Sequence, residues 1–369
     1  MSEASQPIHC GLVIASMRTG GAERAFVNLG NGLAESGCVV DMILVEKTGA
    51  FLEQLSEKIV VCNLNSKRAS KGVKAFKRYL TERNPDVIIV AQLHVQVMAL
   101  AAARQSGWKG KIILNEQSSI SRNTFGWKRK FQVFLLKRWI SRADAITVVS
   151  KGAADDYIDV IPSAESKVCV IYNPIISILS EEKLNETLSH DFFGINVPVI
   201  TAVGRLTASK RFDLLLDAFS KVRKQMECKL IIAGEGEERA NLEMQIRKLG
   251  IERDVSLSGE TKNSLALFRQ SNLAVLSSDY EGLPAVLIEA LCANCPVVST
   301  DCPHGPKEIL DNGKYGRLVP VGDARKLSDS ILNELKSPLQ VNRKLRAQNF
   351  SVENCVKSYR VLFKNLLSR

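Results

Sequence analysis

Two carboxylates, Glu281 and Glu289, are separated by seven residues in the stretch DYEGLPAVLIEALCANCPVVSTDCP, just ahead of a short apolar run. Glu281 follows a Ser-Ser-Asp loop and precedes Gly282, Leu283 and Pro284, so it belongs to a loop. From Ala285 to Ala293 the pattern is helical, and Pro284 suits the first turn of a helix, where its missing N–H costs nothing. Glu289 then falls about one and a half turns into that helix, and Glu281 just ahead of its N-terminus. The free N–H groups of a first turn point toward the space Glu281 occupies. One carboxylate beside an amide nest suits a polyhydroxylated, anionic ligand. Two Glu at this spacing alone are more often a solvated pair, so their company decides the matter.

That company is cationic. Upstream, VITAVGRLTASK places a strand, then Gly204, then Arg205 and Lys210 on the exit loop. Ligands of open α/β sheets bind at strand carboxyl ends, and two cations there make a natural diphosphate clamp. Near the start, HCGLVIASMRTGGAERAF gives a strand, a Gly-Gly turn and a helix start, with Gly20 and Gly21 permitting close backbone approach to a phosphate or sugar. Each feature is weak alone. Three in this order, each at a predicted strand exit, point one way.

The elements that must position these residues are legible as alternation. Apolar runs alternate with helical patterns along the chain, the mark of parallel βαβ units. Seven strands are predicted between Leu12 and Tyr172 and six between Val199 and Val319. The polar, weakly periodic stretch from Asn173 to Asn196 reads as an interdomain linker with a short lead-in. At 369 residues, and about 150 per domain, two domains are expected. The chain is 45% hydrophobic, enough for two cores.

Charge is unevenly shared. The first 170 residues hold 23 Lys and Arg against 15 Asp and Glu, a surplus of +8 out of +11 for the chain. Much of it lies in two helical stretches, Lys67 to Arg83 and Arg122 to Arg142. In the second, Trp127, Phe131, Phe134, Leu135 and Trp139 fall near helical spacing among Lys128, Arg129, Lys130, Lys137, Arg138 and Arg142. A basic helix with aromatic residues on its other face suits an anionic membrane surface. The commoner fate of such a pattern is a core-facing helix with a solvated basic side. Nucleic acid is the other partner a basic protein brings to mind. No zinc-finger spacing, RNA-recognition aromatic motif or recognition-helix signature is present, and no nucleic-acid partner is expected.

The N-terminus lacks the layout of a signal peptide, and no run of about 18 apolar residues would span a bilayer. Nine scattered cysteines, an odd number, fit a reducing cytosol. Cys292 and Cys295, with Cys302 nearby, lack the second pair a zinc site needs. Nicotinamide binding is excluded because no G-x-G-x-x-G follows the first strand.

Taken together, Gly20-Gly21-Ala22-Glu23-Arg24, Gly204-Arg205-Leu206 through Lys210, Glu281 through Glu289, Gly305-Pro306-Lys307-Glu308-Ile309 and Tyr315 to Asp323 resemble those of a retaining glycosyltransferase of the GT-B fold, group-1 (family 4) type. The resemblance covers nearly the whole chain. It implies two Rossmann-like domains facing a central cleft: 1–175 binding the acceptor, 176–350 binding a nucleotide sugar, and a helix at 351–369 returning to the first domain. It implies a nucleotide diphosphate sugar as donor, with uridine favoured by the GGAER element, and a glycan acceptor, lipid-linked in many relatives.

On this resemblance Arg205 and Lys210 would neutralise the diphosphate, Glu289 the ribose hydroxyls, and Glu281 the donor sugar. The N–H groups after Gly282 would hold further hydroxyls. No Asp-x-Asp element stands in a suitable loop, so no metal is expected. One departure stands out. Where many relatives carry His, this chain has Gln117, which cannot act as a general base but can hydrogen-bond a sugar hydroxyl. Glu116 and His94 are further candidates for acceptor contact, and His304 for lining the site. The location implied is cytoplasmic, peripheral on the inner face of the cell membrane. The same chemistry on a soluble acceptor, and a non-catalytic sugar-nucleotide-binding protein, remain open alternatives.

Overall fold

The computed structural model describes residues 6–18, 20–117, 120–121, 126–177 and 179–368. The chain divides into two compact units: 1–174 together with 352–369, and 175–351.

In the first unit, β1 (His9–Ile14), β2 (Val39–Leu44), β3 (Ile59–Asn63), β4 (Val87–Ala91), β5 (Lys111–Glu116), β6 (Ala145–Val148) and β7 (Val168–Val170) form one sheet in the order β3-β2-β1-β4-β5-β6-β7. Every pairing is parallel. Helices cover both faces, so the strands are continuous Val/Ile/Leu runs; all five residues of β4, VIIVA, are fully buried.

The last helix, Val352–Leu367, packs in this unit against the first, Gly21–Glu35. Gly32 makes the close approach possible: a Cβ there would lie 2.5 Å from Val352 and 2.8 Å from Val356. The Tyr359 hydroxyl then reaches the sheet, accepting from Asn115 Nδ2 at 3.1 Å and lying 3.0 Å from Thr147 Oγ1.

The second unit repeats the plan with β8 (Val199–Val203), β9 (Lys229–Ala233), β10 (Val255–Gly259), β11 (Leu273–Leu276), β12 (Val297–Thr300) and β13 (Arg317–Val319), in the order β10-β9-β8-β11-β12-β13. All thirteen expected strands form, with ends within three residues of their predicted positions.

In each sheet the strand order reverses once, at β1/β4 and at β8/β11. At such a reversal the two exit loops leave in opposite directions and open a crevice at the carboxyl ends. Arg205, Lys210 and Glu281 stand on the β8 and β11 exit loops, and Gly20 and Gly21 follow β1.

Two expectations are corrected here. The stretch taken as a linker is docked: Leu188, Phe192 and Phe193 pack against Val199 and Ile231. Its apolar residues are too few to show a period, yet they cover the sheet. Pro284 is the N-cap of the helix Ala285–Cys292, with φ −66° and ψ 100°, one residue before its first turn.

Candidate functional site

The β8 exit loop is held by its neighbour. Leu206 N donates to Glu235 O at 2.9 Å, and Glu238 N donates to Leu206 O at 2.9 Å. This contact demands glycine in the β9 exit loop. A Cβ on Gly234 would lie 1.9 Å from Gly204 O, and one on Gly236 would lie 2.3 Å from Leu206 O. In the sequence the Gly-Glu-Gly after β9 has one local signal, two glycines straddling one residue directly after a buried strand. The loop carries Arg205 with its side chain exposed and without a hydrogen bond or ion pair to any described residue. It ends in a 3-10 turn, Ala208–Lys210.

The β11 exit loop meets it. Ser277 Oγ donates to Lys210 O at 2.8 Å, and Asp279 N donates to Ser209 O at 2.9 Å. These ties bring Lys210 Nζ to 2.6 Å from Glu281 Oε1, which also accepts from Ser278 Oγ at 2.7 Å. The Glu281 side chain is only 11% exposed, so this ion pair is well shielded. Burial first, and the Glu281 charge second, push the neighbouring Cys302 thiol up to about 12, keeping it neutral.

A third loop closes around the pair. Glu281 N donates to Pro303 O at 3.3 Å, His304 has φ 66°, and Gly305 has φ 96°. A Cβ on Gly305 would meet Pro284 at 2.5 Å and Gly282 O at 2.9 Å. Only glycine permits that approach. Among the described residues, the N–H groups of Gly282, Leu283, Ala285 and Val286 donate to no backbone acceptor. Glu289 stands apart from Glu281, buried in its helix, with Oε2 accepting from Ser264 Oγ at 2.7 Å. Two cations, a held carboxylate and a row of free amides can bind an anionic, hydroxyl-rich ligand and neutralise charge that grows on it.

In the first unit, Gly20 is the N-cap of the helix that Gly21 begins, and a Cβ on Gly21 would meet nothing within 4 Å. No packing among the described residues calls for that glycine. Across the β1/β4 reversal, Gln92 bridges the loops: its Oε1 accepts from Ala15 N at 3.3 Å, and its Nε2 donates to Glu23 Oε1 at 3.2 Å. His94 follows on the helix Leu93–Ser106, its pKa lowered by burial and then by the Arg129 cation.

The other two candidates are engaged within the fold. Gln117 Nε2 donates to Asn115 Oδ1 and, at 3.2 Å, to Asn173 Oδ1, while its Oε1 accepts from Asn173 Nδ2 at 2.6 Å. Both of its N–H donors are used. Glu116 is buried, and its charge is felt by the buried Tyr157 hydroxyl, whose pKa is raised by burial first and by Glu116 second. Gln117 is half-buried and Glu116 buried.

The second basic stretch forms the helix Trp127–Trp139 and a 3-10 turn Ile140–Arg142; residues 122–125, which the expectation included, lie outside the described residues. Its faces differ from those expected. Val133, Leu136 and Ile140 are buried, whereas Trp127, Phe131 and Phe134 are 74%, 54% and 61% exposed. Lys128, Lys130, Lys137 and Arg138 are exposed with them. Aromatic and basic residues therefore share the solvent side, because the aliphatic residues between them satisfy the core. Phe131 and Phe134 stack at 6.4 Å, and Lys128 Nζ lies 5.8 Å from the Trp127 ring. Among the described residues, no helix is long and apolar enough to cross a membrane, and no group of three or more His, Cys, Asp or Glu is placed to hold a metal. All nine cysteines are free thiols.

Known proteins match both units. The family described as glycosyl transferases group 1 matches residues 190–350, and the one described as glycosyltransferase family 4 matches residues 19–176. An amylovoran biosynthesis glycosyltransferase of Erwinia amylovora is 32% identical over 271 residues, 73% of each chain. A Campylobacter jejuni N-acetyl-D-galactosaminyltransferase, named for a glycan carried on undecaprenyl diphosphate, is 28% identical over 360 residues, 93% of this chain and 94% of the other. Among solved structures, Anabaena HepE in complex with UDP and glucose superposes with a TM-score of 0.78 at 18% identity, covering 97% of this chain and all of that one. That structural likeness is one of GT-B fold.

Proposed function

Because the chain belongs to the group-1, family 4 type of glycosyltransferases, and is an enzyme of that class, we propose that it moves a hexose from a uridine diphosphate sugar to a lipid-linked glycan, with retention of anomeric configuration. The observation that carries this is the Lys210–Glu281 pair, 2.6 Å apart beside the exposed Arg205 at the β8/β11 reversal. Arg205 and Lys210 meet the diphosphate, and their charge counts most as the glycosidic bond breaks and the leaving group gains charge. Glu281 faces the donor sugar and steadies positive charge at the anomeric carbon. The amides of Gly282 and Leu283 take up sugar hydroxyls. Glu289, steadied by Ser264, receives the ribose hydroxyls. Gly20 and Gly21 offer open backbone to a phosphate or sugar. The two cations take the role a divalent metal has in other transferases, so transfer proceeds without one.

The acceptor side rests on the helix Trp127–Trp139. Exposed aromatic residues bracketed by lysines suit the headgroup region of an anionic membrane, where a lipid-linked acceptor resides. On this reading the enzyme works in the cytoplasm, peripheral on the inner membrane face. The Campylobacter relative's named substrate supports the lipid-linked class.

The test is a thermal-shift screen of the purified protein against UDP-, GDP- and ADP-sugars, with and without EDTA. A ligand that binds only the native state raises Tm by mass action. A shift with a UDP-sugar that survives EDTA is expected; no shift with any of the three removes the donor reading, and one lost in EDTA removes the metal-free clamp. Sedimentation with anionic vesicles at low salt tests the membrane arm, and a supernatant that keeps all the protein removes it.

A further inference from the structure

Arg211 breaks three local rules at once. It is the N-cap of the helix Phe212–Arg223, yet its φ of 51° and ψ of 43° are left-handed, a region that residues other than glycine and asparagine seldom enter. Arginine is a poor N-cap, since Ser, Thr, Asp and Asn supply the accepting oxygen that the first-turn amides need. A cation at a helix N-terminus also opposes the helix dipole. Strain of this kind persists only where surrounding contacts over-determine it, and it gathers at functional sites.

Those contacts span two loops. Arg211 Nε donates to Asp213 Oδ1 at 3.1 Å, and Nη2 donates to Asp213 Oδ2 at 3.2 Å, within its own helix. Nη1 donates to Asp279 Oδ1 at 3.0 Å, across to the β11 exit loop. Lys210 precedes Arg211 directly, and Glu281 lies two residues after Asp279. The one cross-loop ion pair thus sits beside the other. Hydrogen bonding to Asp213 first raises the Arg211 pKa, so the guanidinium stays charged throughout.

We propose that Arg211 is a positioning residue: through Asp279 it locks the β8 and β11 exit loops in register and so holds Lys210 and Glu281 at their working separation. The proposal rests on the function above for what that pair does, but the lock has a signature of its own. Lys210 has Glu281 as its ion-pair partner. When a diphosphate draws on the Lys210 charge, that link weakens, and the Arg211–Asp279 pair remains as the side-chain ion pair between the loops, beside the Ser277–Lys210 and Asp279–Ser209 hydrogen bonds. Its cost is the left-handed backbone at residue 211.

The experiment compares Arg211→Gly, Arg211→Lys, Asp279→Ala and Asp213→Ala with the unmodified chain. Glycine relieves the backbone strain and removes the lock, so Arg211→Gly separates the two roles. Hydrogen exchange of residues 277–283 is expected to quicken in Arg211→Gly and Asp279→Ala but not in Asp213→Ala. With the UDP-sugar that raises Tm, kcat is expected to fall about 10- to 100-fold in the same two variants, because a misplacement near 1 Å carries losses of that order. Donor KM moves less, Arg211→Lys recovers part of the loss, and Tm stays within about 3 °C. An Arg211→Gly protein with unchanged exchange and turnover overturns the proposal, leaving Arg211 a mere occupant of a glycine-like position. If no donor binds the unmodified chain, the functional reading fails while the exchange measurement still decides the lock.

Discussion

The two sheets reverse strand order in the same manner at β1/β4 and β8/β11, yet the crevices are furnished differently. At β8/β11 the loops are joined by charge: Lys210 to Glu281 and Arg211 to Asp279, with Arg205 exposed beside them. At β1/β4 they are joined by an amide, Gln92, reaching Ala15 N and Glu23. Both bridges involve a non-glycine residue with left-handed φ, 51° at Arg211 and 66° at Gln92. Each reversal thus uses one strained residue to tie its loops, and the tie's chemistry differs. A crevice of paired charges suits a ligand that gains charge as it reacts. An amide and a histidine held toward its neutral form suit a neutral, hydroxyl-rich partner.

The sharpest way to break this comparison is to remove charge from the second crevice. Glu281→Ala and Lys210→Ala are each expected to lower kcat/KM by about 10²- to 10³-fold, the scale of a lost electrostatic contact to a developing charge. Rates within threefold for both, measured by UDP release, would take this crevice out of the chemistry. Next comes the scaffold beneath it. Gly234→Ala puts a methyl 1.9 Å from Gly204 O and must displace the Arg205 loop, and a Tm lower by about 5 °C with weakened nucleotide binding is expected. An unshifted melting curve would mean that the two loops part easily. In the first crevice, Gln92→Ala is expected to raise acceptor KM by about tenfold, one hydrogen-bonded contact, with nucleotide binding unchanged. A donor-binding defect instead would show that the division between the two crevices is drawn wrongly.

The smallest effect concerns the opposite end of the first sheet. Asp41 is fully buried and accepts from His9 Nε2 and the Tyr79 hydroxyl, each at 2.9 Å, and from Arg83 Nη2 at 2.7 Å. Burial alone would raise its pKa, but hydrogen bonds from His9, Arg83 and Tyr79 outweigh it and hold the carboxyl at about 2, below its ordinary 3.8. A carboxyl lowered on folding contributes stability that is fully present above the ordinary value and is lost as pH falls toward the folded one. All three tryptophans, Trp108, Trp127 and Trp139, lie in the first unit, so their fluorescence follows it alone. Urea midpoints from that signal are expected to fall between about pH 4 and pH 2, and less steeply in Asp41→Asn. Identical slopes would show that Asp41 carries none of the acid sensitivity.

Much of the fold was legible because parallel strands buried on both faces leave continuous apolar runs, as in VIIVA and LAVL. The site was legible where types and order suffice: cations after one strand, a carboxylate ahead of a helix after another. The Gly-Glu-Gly at 234–236 was missed because its necessity comes from a backbone 1.9 Å away on a different loop. Nothing local to QSS announces Asn173, 56 residues on, as the partner of the Gln117 amide. The aromatic side of the helix Trp127–Trp139 was misassigned because periodicity tells which residues share a face, not which face meets the core.

What the sequence alone determined is the βαβ alternation, the two-part organisation and the residue types at the strand exits, since these depend on patterns within a few turns of chain. Which exits meet was left to the tertiary structure. Strand order is set by the packing of whole helices on whole sheets, and only that order puts β8 beside β11 and brings Lys210 to Glu281 across 71 residues. The same holds for Arg211: its type is written in the chain, but its left-handed backbone and its bond to Asp279 exist only because two distant loops are pressed together.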